Sequence, residues 1–261
     1  MSVVKQIHVK AIHHSLANAF VKQNHYSGKI VPNSQLHFGA YLNDKLHGVM
    51  QFGPSMDKSK IQGLVKGTGW NEFIELNRMA FDDTLPKNSE SRCIAVALRL
   101  IKKHAPHIKW VVSFADGTQC GDGTIYRASG FLLTGIKNND QIIQFPDGER
   151  VARLVLTDNQ RPKRLAMAKK WGCEVGGKAT LQPFLAIGAK AIPGFMLRYI
   201  YFIDKSKQKD LTVSILPFSA ITDAGAKMYK GVRQELESKA ADSQSEKGGA
   251  VPTLAHHKGV I

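Results

Sequence analysis

Apolar and polar positions alternate in several short runs of period two and recur at helical spacing in two longer ones, so the chain predicts interleaved strands and helices. A short strand over Gln6 to Val9 leads into a helix that begins near His14-Ser15, places Leu16, Ala19 and Phe20 on one face, and stops at His25-Tyr26-Ser27-Gly28. His37 to Leu42 and Leu46 to Phe52 read as two strands joined by a hairpin-type turn at Asn43-Asp44-Lys45, with Gly39 and Gly48 marking close backbone approach. Phe73 to Phe81 reads as a strand with imperfect alternation. A helix over Glu90 to His104 then carries Ile94, Ala97, Leu98 and Ile101 on its buried stripe and ends before Pro106.

Trp110-Val111-Val112-Ser113-Phe114 is the kind of apolar run that a sheet buries on both faces, and Asp116 stands at its carboxyl end. A glycine-rich turn over Gly117 to Gly123 leads into a helix through Ile125-Tyr126-Arg127-Ala128. Strand, helix, strand and helix within about sixty residues imply a parallel crossover. Gln141 to Phe145 and Arg150 to Leu156 predict a second hairpin, Pro162 to Trp171 a basic helix, and Gly194 to Asp204 another core strand. Beyond about Ser238 the Ser, Gly, Ala and Lys content assigns no fold.

Composition narrows the class. A chain of 261 residues with 43% hydrophobic content supports one substantial core, and no apolar run is long enough for a membrane span or arranged as a secretory signal, which points to a soluble cytoplasmic protein. Cys93, Cys120 and Cys173 match no zinc spacing, and their odd number argues against a disulfide framework. Thirty-six Lys and Arg against twenty-one Asp and Glu give +15, the charge balance of a protein that meets a polyanion, although a solvated basic surface gives the same number.

Candidate chemistry gathers between residues 25 and 126. Asp116 occupies the position where open α/β sheets place ligands, or else it caps the following turn. Tyr126 follows ten residues on, as a proton donor or a packed ring. His25 offers a general base or metal ligand beside Tyr26. Arg78, on an inner strand, needs an anionic ligand or an ion pair with Glu75 or Asp116. Asn88-Ser89-Glu90-Ser91 opens a helix whose first-turn N–H groups suit a pyrophosphate or another anion.

Taken in order, HYSG, Phe52-Gly53, ELNRMAF, the NSES of Asn88 to Ser91, VVSFAD and GTIYRASGF resemble the Mom family of phage proteins from Ala19 to Phe131, and LRYIYFID, LPFS and MYKG extend the likeness to about Gly231. The resemblance implies an α/β fold like that of GNAT acyltransferases, with a mixed, largely antiparallel central sheet flanked by helices and a C-terminal α+β extension. The expected divisions are a catalytic core over 1–135, an extension over 136–237 that completes the sheet and carries a basic DNA-contacting surface, and a tail over 238–261. A Q/RxxGxG/A loop is absent, with Pro86 to Ser91 in its place, which sets this chain apart from acyltransferases that bind acyl-CoA there.

The implied activity is conversion of adenine in DNA, at its exocyclic amine, to a carbamoylmethyl-type (momylated) base that shields phage or prophage DNA from host restriction. His25, Tyr26, Arg78, Ser91, Asp116 and Tyr126 carry over as site residues, with Ser89 beside Ser91 at the cofactor-binding helix start. The donor is expected to be acyl-CoA or another activated glycine or acetyl donor such as an aminoacyl-tRNA. Iron (Fe) is a second implied cofactor, with His25 and Asp116 as ligands. Lys163, Arg164, Lys169, Lys170, Lys205, Lys207 and Lys209 are expected to hold the DNA backbone. Competing readings are an N-acetyltransferase acting on a protein or small-molecule amine, and a DNA-binding protein without catalysis.

Overall fold

In the computed structural model the described residues are 6–118, 121–158, 162–176, 178–229 and 232–233. Hydrophobic alternation builds the first half of the sheet. Strand β1 (His8–Ala11) precedes helix α1 (His14–Asn24), and β2 (Leu36–Leu42) and β3 (Lys45–Gly53) form an antiparallel hairpin. Asn43 and Asp44 both take positive φ, 49° and 59°, at the turn between them, a geometry that suits the twist of paired strands and that Asn and Asp tolerate well. After α2 (Lys58–Gln62) come β4 (Phe73–Phe81), α3 (Ser89–His104), β5 (Trp110–Asp116), α4 (Thr124–Ala128) and β6 (Leu132–Asn139).

A smaller unit follows: β7 (Ile142–Gln144), β8 (Arg150–Ala152), α5 (Arg153–Leu156), α6 (Pro162–Trp171), α7 (Gln182–Ala186) and β9 (Lys190–Ala191). The chain then returns to the main sheet as β10 (Gly194–Phe202), makes a 3₁₀ turn over Lys205–Asp210, and continues through α8 (Ser219–Asp223), β11 (Met228–Tyr229) and β12 (Val232–Arg233).

The seven-stranded sheet runs β1-β2-β3-β4-β5-β10-β6, with β4 and β5 parallel and every other neighbour antiparallel. This is the mixed, largely antiparallel sheet that the resemblance implied. Helix α3 buries Ile94, Ala97, Leu98 and Ile101, spaced three and four apart, against Met50, Leu76, Val111 and Leu197. Each large aliphatic side chain so buried contributes about 1.5–3 kcal/mol. Helix α1 covers the opposite face, where Ala17 and Val21 meet Val49 and Ala80. The same face carries Phe73 stacked on Trp110 at 4.7 Å, within a cluster that includes Val112, Ile200 and Phe202.

Several local expectations change. On α1 the buried residues are Ala17 and Val21, whereas Leu16 is 44% exposed and Ala19 is also exposed, because small side chains let the helix lie close to the sheet. The second hairpin is shorter than expected: β8 stops at Ala152 and Arg153–Leu156 turns helical. The boundary drawn after residue 135 falls inside β6, and β10 pairs with both β5 and β6, so one sheet spans 8–139 and 194–202. Residues 142–191 form their own three-stranded sheet, β8-β7-β9, over a separate core that includes Ile143, Phe145, Leu156 and Phe184. The tail from 238, and Cys120, lie outside the described residues. Among the described residues no helix is long and apolar enough to cross a membrane.

Arg164 corrects the basic surface. Its side chain is only 1% exposed, with Nε donating to the Leu156 carbonyl at 2.7 Å, so it is a structural link between α5 and α6 and is not presented to a phosphate. Arg164→Ala is expected to destabilise the fold by about 2–4 kcal/mol through the cavity and the abandoned carbonyl. Chemical denaturation checks the loss, and the salt dependence of DNA binding is expected to stay unchanged.

Candidate functional site

The site begins where two parallel strands part. β4 and β5 pair only from Phe73↔Trp110 to Glu75↔Val112, yet β4 continues to Phe81 and β5 to Asp116. The register between β3 and β4 shifts at the same level: Phe52 faces Leu76 and Gln51 faces Arg78, leaving Asn77 as an extra residue. Such a bulge bends its strand and re-aims the side chains beyond it, which accounts for the imperfect alternation in the sequence. Asn77 is fixed there by Ser34 Oγ, which donates to its Oδ1 at 3.1 Å, and by its own Nδ2, which donates to the Pro54 carbonyl.

Between the parted ends lies a cleft of about 730 Å³. His25, Tyr26, Arg78, Asp116 and Tyr126 all line it, brought together from the end of α1, from β4, from the end of β5 and from α4. Tyr26 is 56% exposed, and the His25 and Tyr26 rings lie 4.1 Å apart. Arg78 donates from Nε to the Lys29 carbonyl at 3.1 Å and from Nη1 to the Asn77 carbonyl at 2.8 Å. Among the described residues no carboxylate lies within salt-bridge distance of it, so backbone oxygens take the place of the expected ion pair.

His25 Nδ1 and Ser27 Oγ share a hydrogen bond of 2.8 Å. Burial, aided by the Arg78 guanidinium, lowers the His25 pKa to about 4, which keeps the imidazole neutral at physiological pH. Asp116 Oδ1 accepts from Thr118 N at 2.9 Å, from Thr118 Oγ1 and from Asn139 Nδ2 at 2.9 Å. Tyr126 packs against Phe131 and Tyr199, with ring centroids 5.6 and 5.3 Å away.

Sequence reasoning missed three further carboxylates that line the cleft: Glu75, Glu90 and Asp122. Burial raises the Glu75 carboxyl pKa against the opposing pull of Ser55, Arg78 and Asn77. A carboxylate three residues before Arg78 on the same inner strand was the available signal. Asp122 accepts from Arg127 Nη2 at 3.2 Å, and its carbonyl accepts from the Tyr199 hydroxyl. Gly123 is the neighbour that makes this possible, since its φ is +77° and an added Cβ would lie 2.5 Å from the Tyr199 ring. The turn therefore presses onto Tyr199 and aims α4, with Tyr126, at the cleft.

Ser89 and Ser91 depart from expectation. Ser89 is fully buried and its hydroxyl donates to the Pro86 carbonyl, while Ser91 Oγ donates to the Asn88 carbonyl at 3.1 Å. Both hydroxyls tie down the loop that precedes α3, and from this turn it is the Glu90 side chain that reaches the cleft lining. A carboxylate there opposes a pyrophosphate at the helix start. Iron does not fit either. Among the described residues no three His, Cys, Asp or Glu side chains gather as a metal set, so His25 and Asp116 stand without a third ligand of those types.

The basic residues spread widely. Lys169 and Lys209 are exposed; Lys163 meets Glu149 at 3.3 Å, Lys170 bridges Asp147 and Glu149, and Lys207 lies 3.9 Å from Asp210. Lys205 Nζ stands 4.6 Å above the Tyr201 ring. Cys93 is buried and its thiol is pushed up to about 12, and burial also raises the half-exposed Cys173, so neither is poised as a thiolate.

Comparison with known proteins places this geometry. The Mom protein family model matches residues 6–220. Methylcarbamoylase mom of Escherichia phage Mu is 31% identical over 212 residues, covering 81% of this chain and 81% of that protein. Among solved structures, a Bacillus subtilis acetyltransferase in complex with CoA is 12% identical, covering 76% of this chain and 97% of its own, with a TM-score of 0.40. The ribosomal-protein-S18-alanine N-acetyltransferase of Escherichia coli is 10% identical, covering 76% and 94%, also with a TM-score of 0.40. With the family model matched across most of its length and a relative of 31% identity, the chain belongs to the Mom protein family.

Proposed function

We propose that this protein is a transferase that modifies adenine in DNA at its exocyclic amine, giving a carbamoylmethyl-type base. The observation that carries the reading is the convergence of His25, Tyr26, Arg78, Asp116 and Tyr126 on one cleft opened between β4 and β5. The name of the phage Mu relative, a methylcarbamoylase, supports transfer of a carbamoyl-bearing group.

The adenine amine is a weak nucleophile, because its lone pair is delocalised into the ring, and in a duplex it is also stacked and paired. The enzyme takes the base single-stranded or extrudes it at a cost of roughly a few kcal/mol. Tyr26, exposed at the rim, stacks on the base, an interaction of about 1–3 kcal/mol. The amine nitrogen then attacks the activated carbon of the donor, its proton passes to the Asp116 carboxylate or to neutral His25, and the carrier leaves with the bonding pair. Arg78, held rigidly by two backbone carbonyls, stabilises the negative charge that develops. Tyr126 protonates the departing group.

The donor is an activated acyl-type molecule, borne by a small carrier such as CoA or by tRNA. Glu75, Glu90 and Asp122 favour an uncharged or cationic end of that donor within the cleft and disfavour its phosphates there. DNA follows the exposed lysines, Lys169 and Lys209 foremost. Modification of this kind protects phage DNA from restriction in the host cytoplasm.

Asp116→Ala is expected to leave adenine unmodified in DNA from expressing cells, read by nucleoside mass spectrometry; normal modification removes Asp116 from the mechanism. Lys169→Glu and Lys209→Glu are each expected to reduce the slope of log K against log salt by about 0.9 for every phosphate that the lysine neutralises. An unchanged slope puts the DNA elsewhere.

Acidification tests His25. Its folded pKa is below the unfolded value of 6.5, so the unfolded chain binds more protons between pH 6.5 and about 4, and stability falls as pH drops through that window and levels off below it. His25→Asn is expected to flatten this part of the profile, measured as denaturation midpoints at pH 7, 5.5 and 4.5; an unaltered slope assigns the effect to other groups.

A further inference from the structure

We propose that Thr118 and Asn139 are positioning residues for the transfer, clamping one oxygen of Asp116 from two separate parts of the chain so that the carboxylate meets the cleft in a fixed plane. The proposal rests on the reading of Asp116 as a group that takes the amine proton.

Asp116 is the last residue of β5, where strand pairing ends and a side chain would otherwise rotate. Its Oδ1 accepts three hydrogen bonds. The one from Thr118 N makes an Asx turn, which any Asp at a strand end can form. The other two exceed what a turn requires. Thr118 Oγ1 adds a second donor from the same residue, and Asn139 Nδ2 reaches across from 23 residues further along the chain.

Asn139 ends β6, which is separated from β5 by β10. Its side chain is 5% exposed, and its own Oδ1 accepts the Gln141 N–H at 3.2 Å, so the amide is oriented with its NH₂ group toward Asp116. Thr118 is fully buried, and its methyl group occupies space that only a glycine at 194 leaves open: a Cβ there would lie 1.9 Å from Thr118 Cγ2. Three segments of the sheet thus cooperate to aim one carboxylate, at the level where β10 begins. Buried, fully satisfied polar networks are held more rigidly than a surface turn. A misplacement of about 1 Å at a reacting group lowers turnover by roughly a hundredfold.

The test uses the full chain with a single-stranded oligonucleotide containing one adenine, host-cell extract as donor source, and mass spectrometry of the product. Thr118→Val and Asn139→Leu keep the shape and remove the side-chain donor; each is expected to lower kcat about ten- to a hundredfold while KM for the oligonucleotide stays within about twofold. Thr118→Ser keeps the hydroxyl and loses the methyl group, and is expected to retain kcat within about threefold. Thermal melting accompanies each variant. Should Asn139→Leu fail to fold, the Val and Ser substitutions at Thr118 decide alone. A Ser variant as impaired as the Val variant, or full kcat in both Thr118→Val and Asn139→Leu, overturns the proposal. Activity surviving in Asp116→Ala overturns the parent reading instead, whereas an inactive Asp116→Ala beside fully active Thr118→Val and Asn139→Leu overturns only the clamp.

Discussion

Everything at the cleft depends on β4 and β5 ceasing to pair after three residue pairs. Parallel strands that separate leave backbone N–H and C=O groups without their ladder partners, and a protein tolerates this only where other groups or a ligand meet them. Here the bulge at Asn77 starts the divergence, side-chain bonds from Ser34 and to Pro54 hold it, and the Arg78 guanidinium takes up the Asn77 carbonyl itself. The arginine that faces the cleft also helps to keep the cleft open.

Burial then tunes what the opening contains. Arg78 and desolvation act together on His25 and leave it neutral, whereas on Glu75 they oppose one another, with desolvation the larger effect. Desolvation thus favours the uncharged form of both side chains, which is what burial beside an apolar strand imposes on an acid and on a base alike. Glu90 and Asp122 also line the cleft, the latter paired with Arg127, on a molecule whose overall charge is +15. The surplus of positive charge therefore sits largely away from the cleft lining, where Arg78 is the one Lys or Arg among the described lining residues.

Much of the architecture was legible. Period-two and period-3.6 patterns located β2 to β5, α1, α3 and β10, because each buries a continuous stripe that water would otherwise meet. Six residues in linked motifs were expected to meet at one site, and five of them, all but Ser91, line the cleft; their meeting was an inference from resemblance and not from spacing. Ser89 and Ser91 show the limit of local reading: a helix start rich in hydroxyls looks like an anion site, but whether the hydroxyls face outward depends on how the preceding loop folds over them. Arg164 shows the same limit, since a cationic residue in a basic helix gives no local sign that its face of the helix is turned inward.

Local pattern along the chain was enough for most of the elements, their order, the surplus of positive charge and the polar residue at the end of the central strand, since each is a property of neighbours. Long-range folding was needed to insert β10 between β5 and β6, to bring Asn139 to Asp116, and to give Glu75 and Asp122 a cleft shared with His25. Those relations join residues far apart in the chain. They arise from strand pairing, whose partners are chosen by the burial of the whole sheet and leave no periodic trace in any single segment.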